Sequence, residues 1–229
     1  MKNISATILE HNLDGMPRFL AKLTQRGSQL TSLNDVVKLY QESKYNPPSE
    51  NMMKLPHGTI KRMNYITFAI FGLSTKAVSQ LRTHATRLTF VSTSTQYSEF
   101  STREDNYVLP PCPNNYVEKQ MRDVYAKIHK AYKQLIDDGI DRDIAGYLLP
   151  QGLRKTLIIS GHMDAWQYVF QTRLCKRNTK EVQEIMKMLY KLIETNCGKE
   201  YLVGFLPNCA YGKCLEGKFA CGKPFTKEI

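Results

Sequence analysis

The stretch NYITFAIFGLSTKAVSQLRTHATRLTFVSTSTQYS, residues 64–98, decides the architecture of this chain. Its first eight residues are rich in β-branched and aromatic side chains, the composition of a strand. Gly72 offers the strand an end and Ser74 offers a hydroxyl N-cap, so residues 74–82 are predicted as a helix that leaves the strand directly. Arg82, His84 and Arg87 then stand just ahead of a run of Ser, Thr and Gln. That run is either a loop that holds a phosphorylated ligand or a polar crossing between core elements.

Working outward, ISATILE (residues 4–10) reads as a first strand, followed by helical patterns over residues 17–26 and 32–42. Residues 45–58, rich in Pro, Asn and Gly, read as a loop. From Tyr116 to Asp138, Val117, Met121, Val124, Tyr125, Ile128, Tyr132, Leu135 and Ile136 recur at spacings of mostly three and four, and Gly139 stands at the expected C′ position of that helix. Asp141 or Asp143 can cap a short helix ended by Pro150, and KTLIIS (155–160) reads as a second central strand. Helices over 164–175 and 179–195 complete the body, the second with Val182, Ile185, Met186, Leu189 and Ile193 on one face. The mixture is α/β (α+β): a single domain over residues 1–229 with a twisted central sheet flanked by helices, free of internal repeats.

The chain has 229 residues, 42% of them hydrophobic, enough for a sizeable core. Its longest apolar stretches, such as YITFAIFGL (65–73), fall well short of the roughly 20 residues that cross a bilayer, and the N-terminus has no signal-peptide h-region. A soluble cytoplasmic protein is expected. A formal charge of +11 attracts polyanions: nucleic acid, nucleotides or phosphate-bearing cofactors. Four of the six cysteines, Cys197, Cys209, Cys214 and Cys221, lie in a C-terminal tail of about residues 197–229. They form no C-x2-C pair and read as free thiols, with no metal expected.

The residues HGT (57–59), ITFAI (66–70), GLS (72–74), SQLRTH (79–84) and STQYS (94–98) resemble the flavin-dependent thymidylate synthases. That family's signature is an Arg-His-Arg cluster followed by a short spacer and a Ser, with an Arg and a Tyr close behind. AGYLLPQGLRKTLIIS, running on through FQTRLCKRNTKEV, is similar to the family's A-R-Y-L-L-P, strand and L-R-x-C-x-R helix, and YGKCLEGKFACGKP looks like its C-P-E-G-x-x-S-C-G ending. The matches fall in the family's order and spacing, although each motif is altered, as in a divergent member.

The resemblance implies a homotetramer that binds FAD at subunit interfaces and methylates C5 of dUMP. Methylenetetrahydrofolate supplies the carbon unit and NADPH reduces the flavin; the protein contributes binding and electrostatics. It places Arg173 at the pyrimidine as the catalytic residue. Gln80, Arg82, Ser94, Thr95, Gln96 and Tyr97 fall at the substrate, and Thr59, Arg62, His84, Arg87, His162 and Arg177 at the cofactor. His84 and Arg173 are implied to converge, across subunits, on the two faces of one flavin–pyrimidine stack. His57 reads as a structural hydrogen bonder.

Several positions depart from the pattern. Gln96 and Gly146 stand where the family carries phosphate-binding arginines, and each lost charge-assisted bond is worth about 1.5–3 kcal/mol. Arg87, Arg103, Arg154 or Lys155 are candidates to compensate. His162 and Asp164 replace an Asn and an Arg, and Arg62 replaces a Glu. Such exchanges suit an enzyme with a changed pyrimidine nucleotide or C5 hydroxymethylation, or a homologue that has lost activity. The competing class is a non-catalytic nucleic-acid-binding protein, suggested by the charge and by Tyr97, Phe100 and Tyr107 among basic residues; no nucleic-acid-binding motif supports it.

Overall fold

The structure is a computed structural model and describes residues 4–55, 58–103, 105–212 and 214–226. His57 lies outside the described residues. The order is β1 (Ser5–His11), α1 (Met16–Arg26), α2 (Leu33–Ser43), α3 (Glu50–Lys54), α4 (Gly58–Arg62), β2 (Tyr65–Ser74), α5 (Thr75–Arg82) and β3 (Leu88–Ser92). Then come α6 (Asn115–Asp137), α7 (Arg142–Ala145), β4 (Arg154–His162), α8 (Met163–Arg173) and α9 (Lys180–Asn196), and short 3-10 turns carry the tail.

The strands form one sheet in the order β1-β2-β4-β3. Met163 N donates to Asn64 O at 2.9 Å while Thr75 N donates to Leu153 O at 2.9 Å, so β2 and β4 run antiparallel. This is the expected mixed α/β chain with a central sheet and flanking helices. The strand–helix reading at residue 74 holds: Ser74 Oγ accepts a hydrogen bond from Ala77 N at 3.0 Å and α5 starts at the next residue.

Two elements differ from expectation. The segment 45–58 contains a helix, α3, because Ser49 Oγ accepts from Met52 N and caps a turn that lies between its prolines. Residues 88–92, inside the stretch read as polar, form β3; alternation of Leu88, Phe90 and Ser92 inward is enough when β4 supplies the partner, with Thr93 N on Thr156 O at 3.1 Å.

Backbone contacts divide the chain into two units. The first comprises the described residues of Met1–Ala6, Ala69–Thr83 and Phe90–Ile158. Its core gathers Phe100, Tyr107, Tyr132, Ala145 and Leu153, with Tyr125, Leu135, Ile136 and Leu149 packed on them. Gly152 leaves room there for the Tyr125 hydroxyl, which a Cβ would crowd. On α6 the apolar stripe is only partly covered: Tyr132 is buried, Val124 half exposed.

The second unit comprises Thr7–Phe68, His84–Thr89 and the described residues of Ile159–Ile229. Trp166 sits at its centre, fully buried, its Nε1 donating to Ile66 O at 3.1 Å and its ring edge-on to Phe68 at 5.1 Å. The expected face of α9, Val182, Ile185, Met186, Leu189 and Ile193, is wholly buried. No helix among the described residues is long and apolar enough to cross a membrane.

Replacing Ser74 by Ala removes the α5 cap and should lower unfolding free energy by about 1 kcal/mol. Urea denaturation followed by the fluorescence of Trp166, the one tryptophan, measures it; an unchanged midpoint contradicts the cap.

Candidate functional site

In the second unit three sequence-predicted residues come together. His84 lies in the turn after α5 and Arg173 is the last residue of α8. Arg173 Nε donates to His84 Nε2 at 2.8 Å, and its Nη1 donates to Asn178 Oδ1 at 2.9 Å. Asn178 is itself fixed, its Nδ2 donating to Thr172 O at 2.7 Å and Cys175 O at 3.2 Å. Tyr168, one turn before Thr172, stands edge-on to the His84 ring at 5.8 Å, and the Arg87 guanidinium lies over the Tyr168 ring at 4.4 Å. Each of α8's last two turns therefore contributes a group.

The hydrogen bond dictates protonation. Arg173 can only donate, so His84 Nε2 must carry a lone pair and the ring proton must sit on Nδ1. Burial, then the charges of Arg173 and Arg87, push His84 from 6.5 down to about 4, in agreement with a neutral ring. Burial also lowers Arg173 from its ordinary value. Within one chain His84 and Arg173 touch directly.

A cavity of about 320 Å³ adjoins this cluster in the same unit, with Tyr168, Thr172 and Asn178 on its wall and Cys209, Leu215 and Glu216 from the tail opposite. Arg177, expected at the cofactor, also lines it but is engaged by the tail: its Nη1 donates to Phe219 O and approaches Glu216 Oε2 at 3.5 Å. Among the described residues no three His, Cys, Asp or Glu side chains are grouped to hold a metal ion.

A second place in that unit holds Thr59 and Arg62 on α4, which packs against α8. Arg62 Nε lies 3.7 Å from Asp164 Oδ2. The two side chains thus meet as an ion pair. The pair is exposed and contributes little to stability. His162 ends β4 as the N-cap residue of α8 without a side-chain capping bond.

In the first unit the remaining predicted residues lie on α5 and on the loop after β3. Arg82 Nη2 donates to Ser92 Oγ at 2.8 Å. Ser94 Oγ accepts from the backbone N–H groups of Gln96 and Tyr97, at 3.1 and 3.2 Å, and so shapes the turn. Gln96 and Tyr97 are exposed, Thr95 half-buried, and Gln80 lies on α5. Gly146 meets this loop at the Thr95 carbonyl, which a Cβ there would approach to 3.2 Å. Tyr168, Asn178 and Arg142, whose Nη1 reaches Tyr97 O at 3.4 Å, were missed by sequence reasoning. Only Asn178 left a trace, as a capping-type residue just before α9.

The family described as thymidylate synthase complementing protein matches residues 13–197. The flavin-dependent thymidylate synthase of Geobacter sulfurreducens is 26% identical over 179 residues, 76% of this chain and 75% of that protein. That of Sulfurisphaera tokodaii is 30% identical over 166 residues, 70% of this chain and 60% of that protein. Among solved structures, thymidylate synthase X from Helicobacter pylori, with FAD and dUMP, aligns with a TM-score of 0.59 at 19% identity, covering 88% of this chain and 97% of that one. The UMP/dUMP methylase PolB from Streptomyces cacaoi, bound with 5-Br dUMP, aligns with a TM-score of 0.64 at 16% identity, covering 89% and 95%. Both share the fold of this chain.

A His84 that stays neutral down to about pH 4 makes stability pH-dependent in one direction. The unfolded chain takes up the proton first as pH falls, so unfolding free energy should decline from pH 6.5 to about 4, and His84→Gln, which keeps an acceptor but cannot titrate, should lack that component. Urea midpoints across the window test this; identical pH profiles for the two proteins contradict a neutral, buried His84.

Proposed function

Because the chain belongs to the thymidylate synthase complementing protein family, we propose that it is a flavin-dependent methyltransferase that adds a one-carbon unit to C5 of dUMP, with methylenetetrahydrofolate as donor and NADPH as reductant, working as a homotetramer of single-domain chains. The observation that carries the reading is the Arg173–His84 hydrogen bond, a guanidinium locked in direction by two neutral acceptors, His84 Nε2 and Asn178 Oδ1.

A guanidinium held in this way is pre-organised to stabilise negative charge as it forms on a pyrimidine carbonyl, which raises electron density at C5 without an enzyme nucleophile. A protonated His84 would lose the acceptor and add a third positive charge beside Arg173 and Arg87, so the neutral state is the competent one. Arg173 is therefore the catalytic residue of the proposal and His84 and Asn178 position it.

The residues present fit FAD. Tyr168 offers an aromatic wall, with the Arg87 guanidinium on its face and His84 at its edge, beside a cavity of about 320 Å³. That combination suits an aromatic, anionic group. His84, Arg87 and Tyr168 would hold it, with Thr59, Arg62, His162 and Arg177 as further contacts, and when bound it would supply the hydride chemistry. Gln80, Arg82 and Ser94 to Tyr97 would meet the nucleotide. The exchanges at Gln96 and Gly146 favour one second reading: the same chemistry on a different pyrimidine nucleotide, or C5 hydroxymethylation.

The purified protein should carry or take up FAD, giving a flavin absorption band that NADPH bleaches, and should convert dUMP to a product heavier by CH2, a methyl in place of the C5 hydrogen, in mass spectrometry. Arg173→Lys keeps the charge but loses the fixed fork, and kcat should fall about 100- to 1,000-fold. A protein that binds no flavin and leaves dUMP unchanged defeats the assignment. Gln96→Arg should tighten dUMP binding about tenfold or more by calorimetry; unchanged binding counts against position 96 at the phosphate.

A further inference from the structure

In the second unit the tail closes on itself. Phe225 is buried, and its backbone N donates to Cys209 Sγ at 3.3 Å, joining residues 16 apart in sequence. The chain between these two pins has the outline of an Ω-loop, with its ends held together. Residues 214–224 are all exposed. Gly212 and Gly222 stand near the two ends, at φ +90° and +68°, a backbone region that glycine enters freely. No burial holds the middle of the loop down, and its ends have the freedom of hinges.

The middle is held instead by the turn between α8 and α9. Lys176 Nζ donates to Pro224 O at 3.0 Å and so grips the base, next to Phe225. Arg177 grips the tip: its Nη1 donates to Phe219 O and lies 3.5 Å from Glu216 Oε2. The Arg177 and Glu216 side chains are 47% and 53% exposed, so their pairing is weak and screened by salt. A clasp of that strength yields to a better anion.

The same clasp closes the cavity of about 320 Å³. Cys214, Leu215 and Glu216 of the loop form one part of its wall, and Tyr168, Thr172 and Arg177 another. Among the described residues that line it, Arg177 is the one cation and Glu216 the one anion. With the two paired, the wall carries no net charge, and the Glu216 carboxylate repels the kind of group that Arg177 attracts. With Glu216 swung away, the guanidinium can offer its fork of donors to a phosphate.

We propose that residues 214–224 form a latch on this cavity, in which Glu216 takes the place on Arg177 that a phosphate-bearing cofactor would occupy, so that binding and unlatching are one event. The inference rests on the reading that a cofactor of that class uses this cavity, and adds what regulates its entry. The coupling is reciprocal: weakening the clasp tightens the cofactor, and the cofactor frees the loop.

Titration of the full-length protein with FAD, followed by flavin fluorescence, tests the latch. Glu216→Gln keeps the shape and removes the charge, and affinity for FAD should rise about two- to fivefold at low salt. That gain should vanish near 1 M NaCl, where the screening length is about 3 Å. Glu184→Gln removes an equal charge from the α9 surface outside the cavity wall and should leave affinity unchanged. FAD should also speed tryptic cleavage after Lys218, because the Lys218–Phe219 bond lies in the 3-10 turn that Arg177 clasps. Equal FAD affinity for wild type and Glu216→Gln, an equal gain from Glu184→Gln, or cleavage after Lys218 that FAD does not accelerate overturns the latch and leaves the enzyme assignment intact. Failure of both wild type and Glu216→Gln to bind FAD overturns the functional reading itself, and the latch with it.

Discussion

The register of β2 against β4 is the constraint from which the rest follows. In one half of the pair Asn64 O receives Met163 N, and Thr67 and Ser160 share a hydroxyl hydrogen bond at 2.7 Å. In the other half Leu153 O receives Thr75 N and Gln151 O receives Lys76 N. Each strand passes straight into a helix, so a register fixed here also fixes where α5 and α8 begin. A slip of one residue would turn Ile66, Phe68 and Ile70, all fully buried, to the other face, and would take Ile66 O away from the Trp166 indole. The last residue of α8 then has a determined position, and that residue is Arg173.

Around Arg173 the second unit places positive charge beside positive charge. Arg87 and Arg173 both depress His84, and burial depresses Arg173 as well. Water would relieve such repulsion on an open surface, but His84 is buried. The arrangement persists because the histidine gives up its proton and serves as an acceptor, turning a potential third charge into a hydrogen bond that orients the guanidinium. Electrostatic strain of this kind is retained at functional sites, where a bound anion relieves it.

Much of the frame was legible because it depends on neighbours in sequence. The Ser74 cap, the Gly139 helix end, at φ +76°, and the buried face of α9 are all local patterns, and all appear as read. What was not legible depends on partners distant in the chain. β3 has too short an alternation to stand without β4, and the capping bond of α3 is hidden among prolines. The Arg173–His84 bond joins residues 89 apart; the motif positions named both, but as groups converging across subunits. Arg177 could not be read as tied to Phe219 and Glu216, because the tail that holds it has no periodic pattern. Lys155 looked like one basic residue among several until its burial set it apart.

The exchanged positions divide by how the fold answers them. Arg62 and Asp164 meet as an ion pair. At Gly146 the Thr95 carbonyl lies close by, and a Cβ would press on backbone rather than on a flexible group. Backbone cannot be repacked as a rotamer can, so an arginine at 146 would require the loop of residues 92–97 to shift as well. The shape of that loop and the glycine beneath it therefore form one feature. The ammonium of Lys155 on β4 donates to the Thr93 carbonyl of the same loop.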